Sequence, residues 1–396
     1  MYILYDPAAI RLDLLPLTYM RPVADCRVGI LTIREKWQHF LGEVTLTLSE
    51  DYLSGRFPFA TEAGTHTYIN GSIIPTAEMA RLVLTLKDGQ ALHVNGTTLA
   101  YCSDTPRAWT EVEAAATAAH YVTYTEDVRQ IRFPYDVFRL NGVEIESDFK
   151  LITDGRMSQS ISETNTVIGD SRLVFIEEGA SVECSTLNVK GGPVYIGRDA
   201  EIMEGCHVRG PFALGEHGGL KMAAKVYGAT TIGPHCKVGG EVSNAVFFGY
   251  SNKGHDGFIG NSVIAEWCNL GADTNCSNLK NNYGTVDVWH YPTEGYISSG
   301  MQFHGLIMAD HAKSGINTMF NTGTTVGVAA NVFDGGFPDK FIPSFTWGGA
   351  DKKETFRFDK ALEVAERMMA RRDITLSQGD IDMMQVAFDR DEKYRK

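Results

Sequence analysis

The chain has few cysteines, and their spacing suits neither cross-links nor a zinc ribbon. Its 396 residues include 7 cysteines, an odd number with no pair in a CxxC spacing. A zinc ribbon requires such pairs, and a secreted disulfide scaffold is denser in cysteine. The sequence therefore favours buried, reduced thiols in a cytoplasmic protein. The cysteines are Cys26, Cys102, Cys184, Cys206, Cys236, Cys268 and Cys276.

Long apolar runs and an excess of positive charge are also missing. No stretch approaches the roughly 18 apolar residues of a membrane-spanning helix. The first segment carries acidic Asp6 ahead of its first basic residue, unlike a signal peptide. The formal net charge is −13, whereas nucleic acids and anionic membranes need a basic partner. We therefore expect neither nucleic acid nor membrane as a partner, although local basic pockets for phosphate remain compatible with this composition.

The composition and the residue pattern of the sequence change twice along the chain, which predicts three domains. The first region alternates short strands, at Tyr2–Tyr5 and 44–48, with helices at 30–41 and 78–86. Gly42 is a predicted helix C-cap. Strands separated by helices indicate an α/β layer. The predicted domains are an α/β domain over 1–155, a repeat domain over 156–350 and a helical extension over 351–396.

Small apolar residues recur every six positions in the middle region. Ile196, Ile202, Val208 and Leu214 follow this step, and glycine often comes next in the chain. Six residues suit one flat face of a triangular coil, with one side chain inward and a sharp corner that favours Gly, Asn or Asp. Stacked coils of 18 residues bury one another's apolar edges. The pattern predicts a parallel β-helix, because a β-sandwich would alternate every two residues.

The last region carries apolar residues at helical spacing. A second short helix is predicted around 383–388, and both helices are expected to cap the open end of the solenoid or to pack on a neighbouring subunit. The first stripe consists of Phe358, Ala361, Leu362, Ala365, Met368 and Met369.

Residues 249–258 break the six-residue repeat, which predicts a loop that protrudes from the coil. His255 lies there beside Asp256, between two glycines. Functional residues concentrate in loops that interrupt a scaffold, and an imidazole with an ordinary pKa near ~6.5 suits general-base catalysis. An isolated histidine is more often structural, so the setting of His255 carries the prediction.

Several motifs resemble a known enzyme family. Lys253-Gly254-His255, Asn269-Leu270-Gly271-Ala272 and Ser277-Asn278 resemble the acetyltransferase half of the bacterial bifunctional enzyme that makes UDP-N-acetylglucosamine. The later segments 296–300, 307–310 and 313–317 are similar to archaeal relatives that join a sugar-1-phosphate nucleotidylyltransferase to an acetyltransferase. The resemblance implies a left-handed β-helix, a homotrimer with sites between subunits, and acetyl-CoA as co-substrate.

The resemblance also assigns roles to residues. His255 matches the general base that takes a proton from an aminosugar amine. Asn269 and Asn278 match residues that bind and orient the sugar. Asn278 is predicted to be catalytic together with His255. The N–H near Ala272 matches the donor to the thioester oxyanion. Lys225 lies near a position that holds the sugar phosphate.

Two departures leave the sugar open, since Phe258 replaces a usual tyrosine and Ser243 a usual lysine. For asparagines the alternative role is corner formation, which we prefer for Asn261 and Asn275.

Residues 14–22 resemble the signature of sugar nucleotidyltransferases, whose glycine-rich loop cradles nucleotide phosphates. That loop is missing, because residues 6–11 stand in its place. Arg11 and Arg21 are the predicted phosphate contacts, and Mg²⁺ would accompany a nucleoside triphosphate. The metal ligands stay unassigned, with Asp104 the residue considered. Alternatively, the domain is degenerate and binds a nucleotide-sugar or only packs.

These features predict a sugar-phosphate enzyme that transfers a nucleotidyl group to a sugar-1-phosphate, acetylates an aminosugar phosphate, or does both. One alternative is a nucleotidyltransferase with a structural, trimerising β-helix. The other is a non-catalytic regulatory or scaffolding subunit.

Overall fold

The computed structural model of the chain describes residues 1–59 and 64–395. The chain divides into two compact units. The first contains Met1–Cys26, Leu31–Asp136 and Ser377–Met383, and the second contains Arg27–Ile30, Val137–Leu376 and Met384–Lys396. The domain limits given above stay a prediction. Among the described residues, no helix is both long enough and apolar enough to cross a bilayer.

The first unit is built on a mixed six-stranded sheet. The strands of the unit, six in this sheet and two in a separate pair, are β1 (Tyr2–Tyr5), β2 (Leu46–Leu48), β3 (His66–Asn70), β4 (Ile73–Ile74), β5 (Gln90–Val94), β6 (Thr97–Ser103), β7 (His120–Thr123) and β8 (Arg129–Gln130). The sheet has the order β2-β1-β3-β6-β5-β7, and β4 pairs separately with β8. Strand β1 is parallel to β2 and β3, whereas β6 is antiparallel to β3 and β5.

Short helices separate these strands, so the predicted α/β layer is confirmed. The helices are α1 (Ala8–Asp13), α2 (Ile33–Leu41), α3 (Ala77–Val83) and α4 (Val112–Thr117). The longer α5 (Asp136–Thr153) follows β8 and belongs to the second unit from Val137 onward. Thr32 caps α2: its hydroxyl accepts from the Glu35 N–H while the Glu35 carboxylate accepts from the Thr32 N–H. This cap starts the helix three residues later than the predicted position 30. Gly42, in the left-handed region at φ 69°, ends it as predicted.

The second unit contains a parallel β-helix with three faces, here called A, B and C. Face A contains Val174–Ile176, Val194–Ile196, Phe212–Leu214, Thr230–Ile232, Ile307–Met308, Thr325–Val326 and Phe341–Ile342. Face B contains Ser181–Val182, Glu201–Ile202, Gly219–Leu220, Lys237–Val238, Asn252–Lys253, Asn269–Leu270, Lys313–Ser314, Asn331–Val332 and Thr346–Gly348. Face C contains Thr166–Ile168, Thr186–Asn188, His207–Arg209, Lys225–Tyr227, Asn275–Cys276 and Met319–Phe320. Glu241–Phe247 and Phe258–Ile264 pass from face C to face A.

The six-residue repeat forms the core of this β-helix, as predicted. Ile196, Ile202, Val208 and Leu214 lie on faces A, B, C and A again, and each is exposed by 1% or less. Parallel register joins each coil to the next, as where Leu214 pairs with Ile232. Parallel ladders of this kind exclude the β-sandwich alternative.

The repeat is irregular in two places. Thr231 pairs with Val246, 15 residues later, so the coil that precedes His255 is shortened. The prediction of a loop thrown out at 249–258 was therefore wrong, because this segment supplies the face B strand Asn252–Lys253 and a tight corner. The long excursion comes afterwards: Val263 pairs with Ile307. It contains an antiparallel hairpin of Asp287–His290 and Gly295–Ser298.

Two C-terminal helices follow, α6 (Phe358–Ala370) and α7 (Gln378–Arg390). Phe345, in the last coil, stacks edge-on against Phe388 and packs on Phe358. Just after α6, the Arg372 guanidinium donates to the backbone carbonyl of His235 in a middle coil. The segment 358–372 therefore extends from the last coil back along the side of its own β-helix.

Candidate functional site

His255 lies in one of a series of equivalent corners between faces B and C. These four-residue corners are 221–224, 254–257, 271–274 and 315–318, and His255 is the second residue of its corner. Met222, Ala272 and Ile316 are second in theirs. Backbone hydrogen bonds join neighbouring corners, as where the Asp273 N–H donates to the Asp256 carbonyl. His255 is exposed at this edge, next to Ala272 on the following coil.

A cavity of about 810 Å³ lies over the outer side of face B. Outward-facing residues of four successive strands form its floor: Lys237, Asn252, Asn269 and Lys313, which are paired in register. We call it the basic cavity. It is lined by Lys221, Lys237, Tyr250, Asn252, Gly254, His255, Trp267, Asn269, Leu270, Gly271, Ala272, Lys313, Ile316, Arg367, Met368, Arg371 and Arg372.

The charged residues that line the basic cavity carry one sign of charge. Six lining residues are lysine or arginine, and none of those the structure describes is acidic. Burial lowers the pKa of Lys313 to about 8, and its Nζ donates to the His311 carbonyl at 2.7 Å. Burial, assisted by the charge of Arg372, also lowers the pKa of Lys237. In a chain of net charge −13, such a concentration of positive charge is suited to binding an anion.

Aromatic rings stack along the corner on the other side of the cavity. Successive centroids are 4.8, 4.7, 4.3 and 6.2 Å apart. Each residue has a left-handed backbone, with φ between 51° and 60°, which is unusual for bulky side chains. We expected Gly, Asn or Asp at corners, so these residues were missed, although two histidines 18 residues apart could have shown the column. The stack consists of His217, His235, Tyr250, Trp267 and His311.

Other predicted residues border face C, not the basic cavity. Lys225 is exposed there, and Glu241 separates it from Phe258 in the register. The side-chain N–H of Asn278 donates to the Asn261 side-chain oxygen at 2.8 Å. A Cβ atom on Gly260 would come within 2.6 Å of both Asn278 Nδ2 and the Phe258 ring, so these two side chains flank Gly260.

The structure therefore brings His255, Asn269 and Ala272 together at the basic cavity and places Asn278 and Lys225 at the adjoining face. His255 occupies the corner between the two. Asn275 supports that corner region, since its side-chain oxygen accepts from the Phe258 N–H.

Arg11, in the first unit, has different partners from those predicted. Its Nε donates to Glu50, one Nη to Asp6 and the Arg21 carbonyl, and the other Nη to the Thr18 carbonyl and Tyr52. All five guanidinium N–H groups are thus engaged, and the residue is 1% exposed. In this arrangement the guanidinium is bonded to protein groups, and the phosphate contact of Arg11 stays a prediction.

Arg21 is also buried, and one Nη donates to the Leu17 carbonyl. Asp104, the residue considered for a metal, is exposed, and its carboxylate accepts from the Thr65 hydroxyl. Across 1–59 and 64–395, no group of three or more His, Cys, Asp or Glu could hold a metal ion. Mg²⁺ is usually held by one or two carboxylates together with substrate phosphates, and its use with a nucleoside triphosphate stays a prediction.

Residues 2–157 match the family described as sugar nucleotidyl transferase, which confirms the resemblance predicted for the N-terminal region. A curated relative, the bifunctional sugar-1-phosphate nucleotidylyltransferase/acetyltransferase of Sulfurisphaera tokodaii (strain DSM 16993 / JCM 10545 / NBRC 100140 / 7), is 32% identical over 166 residues. The match spans 41% of this chain and only 40% of that relative's length.

Solved structures with some similarity include two transferases. The polySia-specific acetyltransferase NeuO aligns with a TM-score of 0.29 and 13% identity, over 53% of this chain and 94% of that one. The UDP-N-acetylglucosamine acyltransferase of Arabidopsis aligns with a TM-score of 0.26 and 17% identity, over 60% and 99%.

Proposed function

We propose that the chain is a transferase of nucleotide-sugar synthesis whose β-helix acylates the amine of an aminosugar phosphate from an acyl-coenzyme A thioester. The observation that carries this proposal is the basic cavity, in which the described lining has six cationic residues and no acidic one around a floor that ends at His255. Coenzyme A carries several phosphate groups, and these anions match that lining. Acetyl-CoA is the donor that the motifs favour.

The proposed chemistry follows from the position of His255 at the corner. The amine nitrogen attacks the thioester carbonyl, the C–N bond forms, and the C–S bond breaks. His255 takes the amine proton and passes it to the departing thiolate. The N–H near Ala272, one coil further along, would stabilise the oxyanion. Asn269, exposed on the cavity floor, is placed to orient the reacting groups.

The acceptor would lie on the face C side of the corner. Lys225 offers a cation there for a sugar phosphate, and Asn278 offers an amide for sugar hydroxyls. Phe258, next to Asn278, gives an apolar surface for a sugar ring where the family has a tyrosine. We expect a cytoplasmic homotrimer, in which a neighbouring subunit completes this open face.

The test is thiol release from acetyl-CoA with glucosamine-1-phosphate and other aminosugar phosphates as acceptors. His255→Ala is expected to lower kcat by about 10²–10⁴-fold. His39→Ala is the matched control, because His39 is an exposed histidine of α2 in the first unit. An unchanged rate in His255→Ala, or no thiol release by the wild-type protein with any acceptor, would refute acyl transfer and leave the structural or scaffolding alternatives.

A second candidate function, nucleotidyl transfer to a sugar-1-phosphate, is supported by the family match of residues 2–157. Pyrophosphate release from a panel of nucleoside triphosphates and sugar-1-phosphates tests it. Release that depends on both substrates is the expected result. If no pair releases pyrophosphate, the domain does not carry out this reaction, and nucleotide-sugar binding is then measured directly.

A further inference from the structure

A lysine lies inside the β-helix where neighbouring coils have apolar residues. Lys253 ends the strand Asn252–Lys253 and pairs with Val238, an interior residue of the preceding strand. Its side chain is 1% exposed. Burial of an ammonium group is costly unless it is hydrogen-bonded, so its partners explain why it is tolerated there.

Those partners belong to the corner that carries the proposed base. The Lys253 Nζ donates to the carbonyl oxygen of His255 at 2.7 Å and to that of Asp256 at 3.1 Å. Burial lowers the pKa of Lys253 to about 8, while the carboxylates of Asp256 and Asp273 act in the opposite direction. The corner is thus folded over an interior ammonium group.

The adjoining corners form without such a group. The corner at 271–274 follows interior Leu270, which is apolar, and the shorter one at 239–240 follows Val238. A lysine is therefore not needed to turn the chain from face B to face C. What distinguishes the Lys253 corner is that it carries a histidine at the edge of the basic cavity.

We propose that Lys253 is a positioning residue for His255: its ammonium group fixes the backbone of the corner and so sets where the imidazole stands. This inference rests on the proposed function for the role of His255, but its geometric part can be tested without turnover. A displacement of about 1 Å at a reacting group can lower a rate by about 10²-fold, so kcat should be sensitive to the loss of this anchor.

The test compares Lys253→Met, which keeps the length of the side chain and removes its donors, with wild type. The Glu241 and Asp273 amides donate to the Gly257 and Asp256 carbonyls of the corner. Their hydrogen–deuterium exchange should be at least about tenfold faster, with strand Lys237–Val238 unchanged. Acetyl transfer should lose about 10²-fold in kcat, while KM for acetyl-CoA stays within about twofold. Val238→Ala is the matched control, since it disturbs the same interior column and should lower Tm with kcat and corner exchange unaltered.

Wild-type exchange at the Glu241 and Asp273 amides in Lys253→Met would overturn the inference, as would an unchanged kcat in an active enzyme. If wild type proves inactive, the proposed function fails, and the exchange data still decide whether Lys253 holds the corner. Should Lys253→Met not fold, Lys253→Gln keeps an uncharged amide donor. It is expected to give intermediate exchange, and wild-type protection in that variant would contradict the proposal.

Discussion

The rings of Tyr250 and Trp267 stack with centroids 4.3 Å apart and planes 14° from parallel, in one wall of the basic cavity. Both residues have a left-handed backbone, at φ 53° and 60°. That conformation costs about 1–3 kcal/mol per residue, and it persists only where the surroundings impose it. The stack supplies such surroundings, because an aromatic pair adds about 0.5–1.5 kcal/mol beyond the burial of its area.

This relationship predicts that Trp267 stabilises the β-helix. Trp267→Ala should lower the free energy of unfolding by about 3–5 kcal/mol, since a 5% exposed ring is removed and the strained backbone stays. Trp267→Phe, which keeps a stacked ring, should lose less. Urea unfolding measures both. Trp347, 38% exposed, is the control, and an equal loss in Trp347→Ala would contradict a special role for the stack.

The lowered pKa of Lys313 predicts how ligand binding depends on pH. Its ammonium group is charged below about pH 8 and neutral above it, whereas the ordinary lysine pKa is 10.5. Binding of coenzyme A to the basic cavity should therefore weaken as the pH rises through 8. Isothermal titration calorimetry between pH 6.5 and 9.5 measures the change. The Lys313→Met variant should bind more weakly at pH 7 and show a smaller pH dependence.

The lowered pKa of Lys313 also affects stability, which should rise with pH whereas ligand binding weakens. Between about pH 8 and 10.5 the unfolded chain binds a proton at Lys313 that the folded chain has lost. The contribution of Lys313 to the free energy of unfolding should thus increase across this window. Urea unfolding at pH 8 and 10 tests it. If the difference between the two pH values is equal in wild type and Lys313→Met, this assignment is contradicted.

The sequence allowed the scaffold to be predicted because the six-residue step is local. Ile196 and Ile202 repeat regardless of what lies outside the coil, so the interior column follows from spacing alone. The basic cavity could not be predicted in the same way. Arg371 and Arg372 lie about 100 residues from Asn269 in the chain, and only packing of the segment after α6 on its own β-helix brings them together.

The asparagines and Arg11 show a second limit of prediction from sequence, which is that it does not identify the hydrogen-bond partners of a side chain. The sequence assigned Asn278 to the sugar and Asn261 to a corner, and only the structure shows that one donates to the other. Arg11 matched a family position by spacing, yet the structure shows its guanidinium donating to Asp6 and Glu50. The spacing of a family motif therefore predicts where a residue lies in the chain better than it predicts the hydrogen-bond partners of its side chain.

Arg11 is accordingly predicted to be structural. Arg11→Met should lower the free energy of unfolding by about 3–5 kcal/mol, because it leaves Asp6 buried without its cation. Urea unfolding measures this loss. Arg81→Met is the control, since Arg81 pairs with Glu78 at the surface and its removal should leave stability nearly unchanged. A stable Arg11→Met variant with weakened nucleotide binding would instead support the predicted phosphate contact.

Substitution of Asn278 tests whether this residue only supports the corner or also contacts the acceptor sugar. If it binds the aminosugar, Asn278→Ala should raise KM for the acceptor by about tenfold and leave KM for acetyl-CoA unchanged, because Asn278 borders face C and not the basic cavity. If it only bonds Asn261, the same change should lower Tm and leave both KM values unaltered. Asn275→Ala is the comparison, since its side chain bonds Asp273 and the Phe258 backbone and is expected to affect Tm alone. Steady-state kinetics with each substrate varied in turn decides between the two roles, and we expect the rise in acceptor KM.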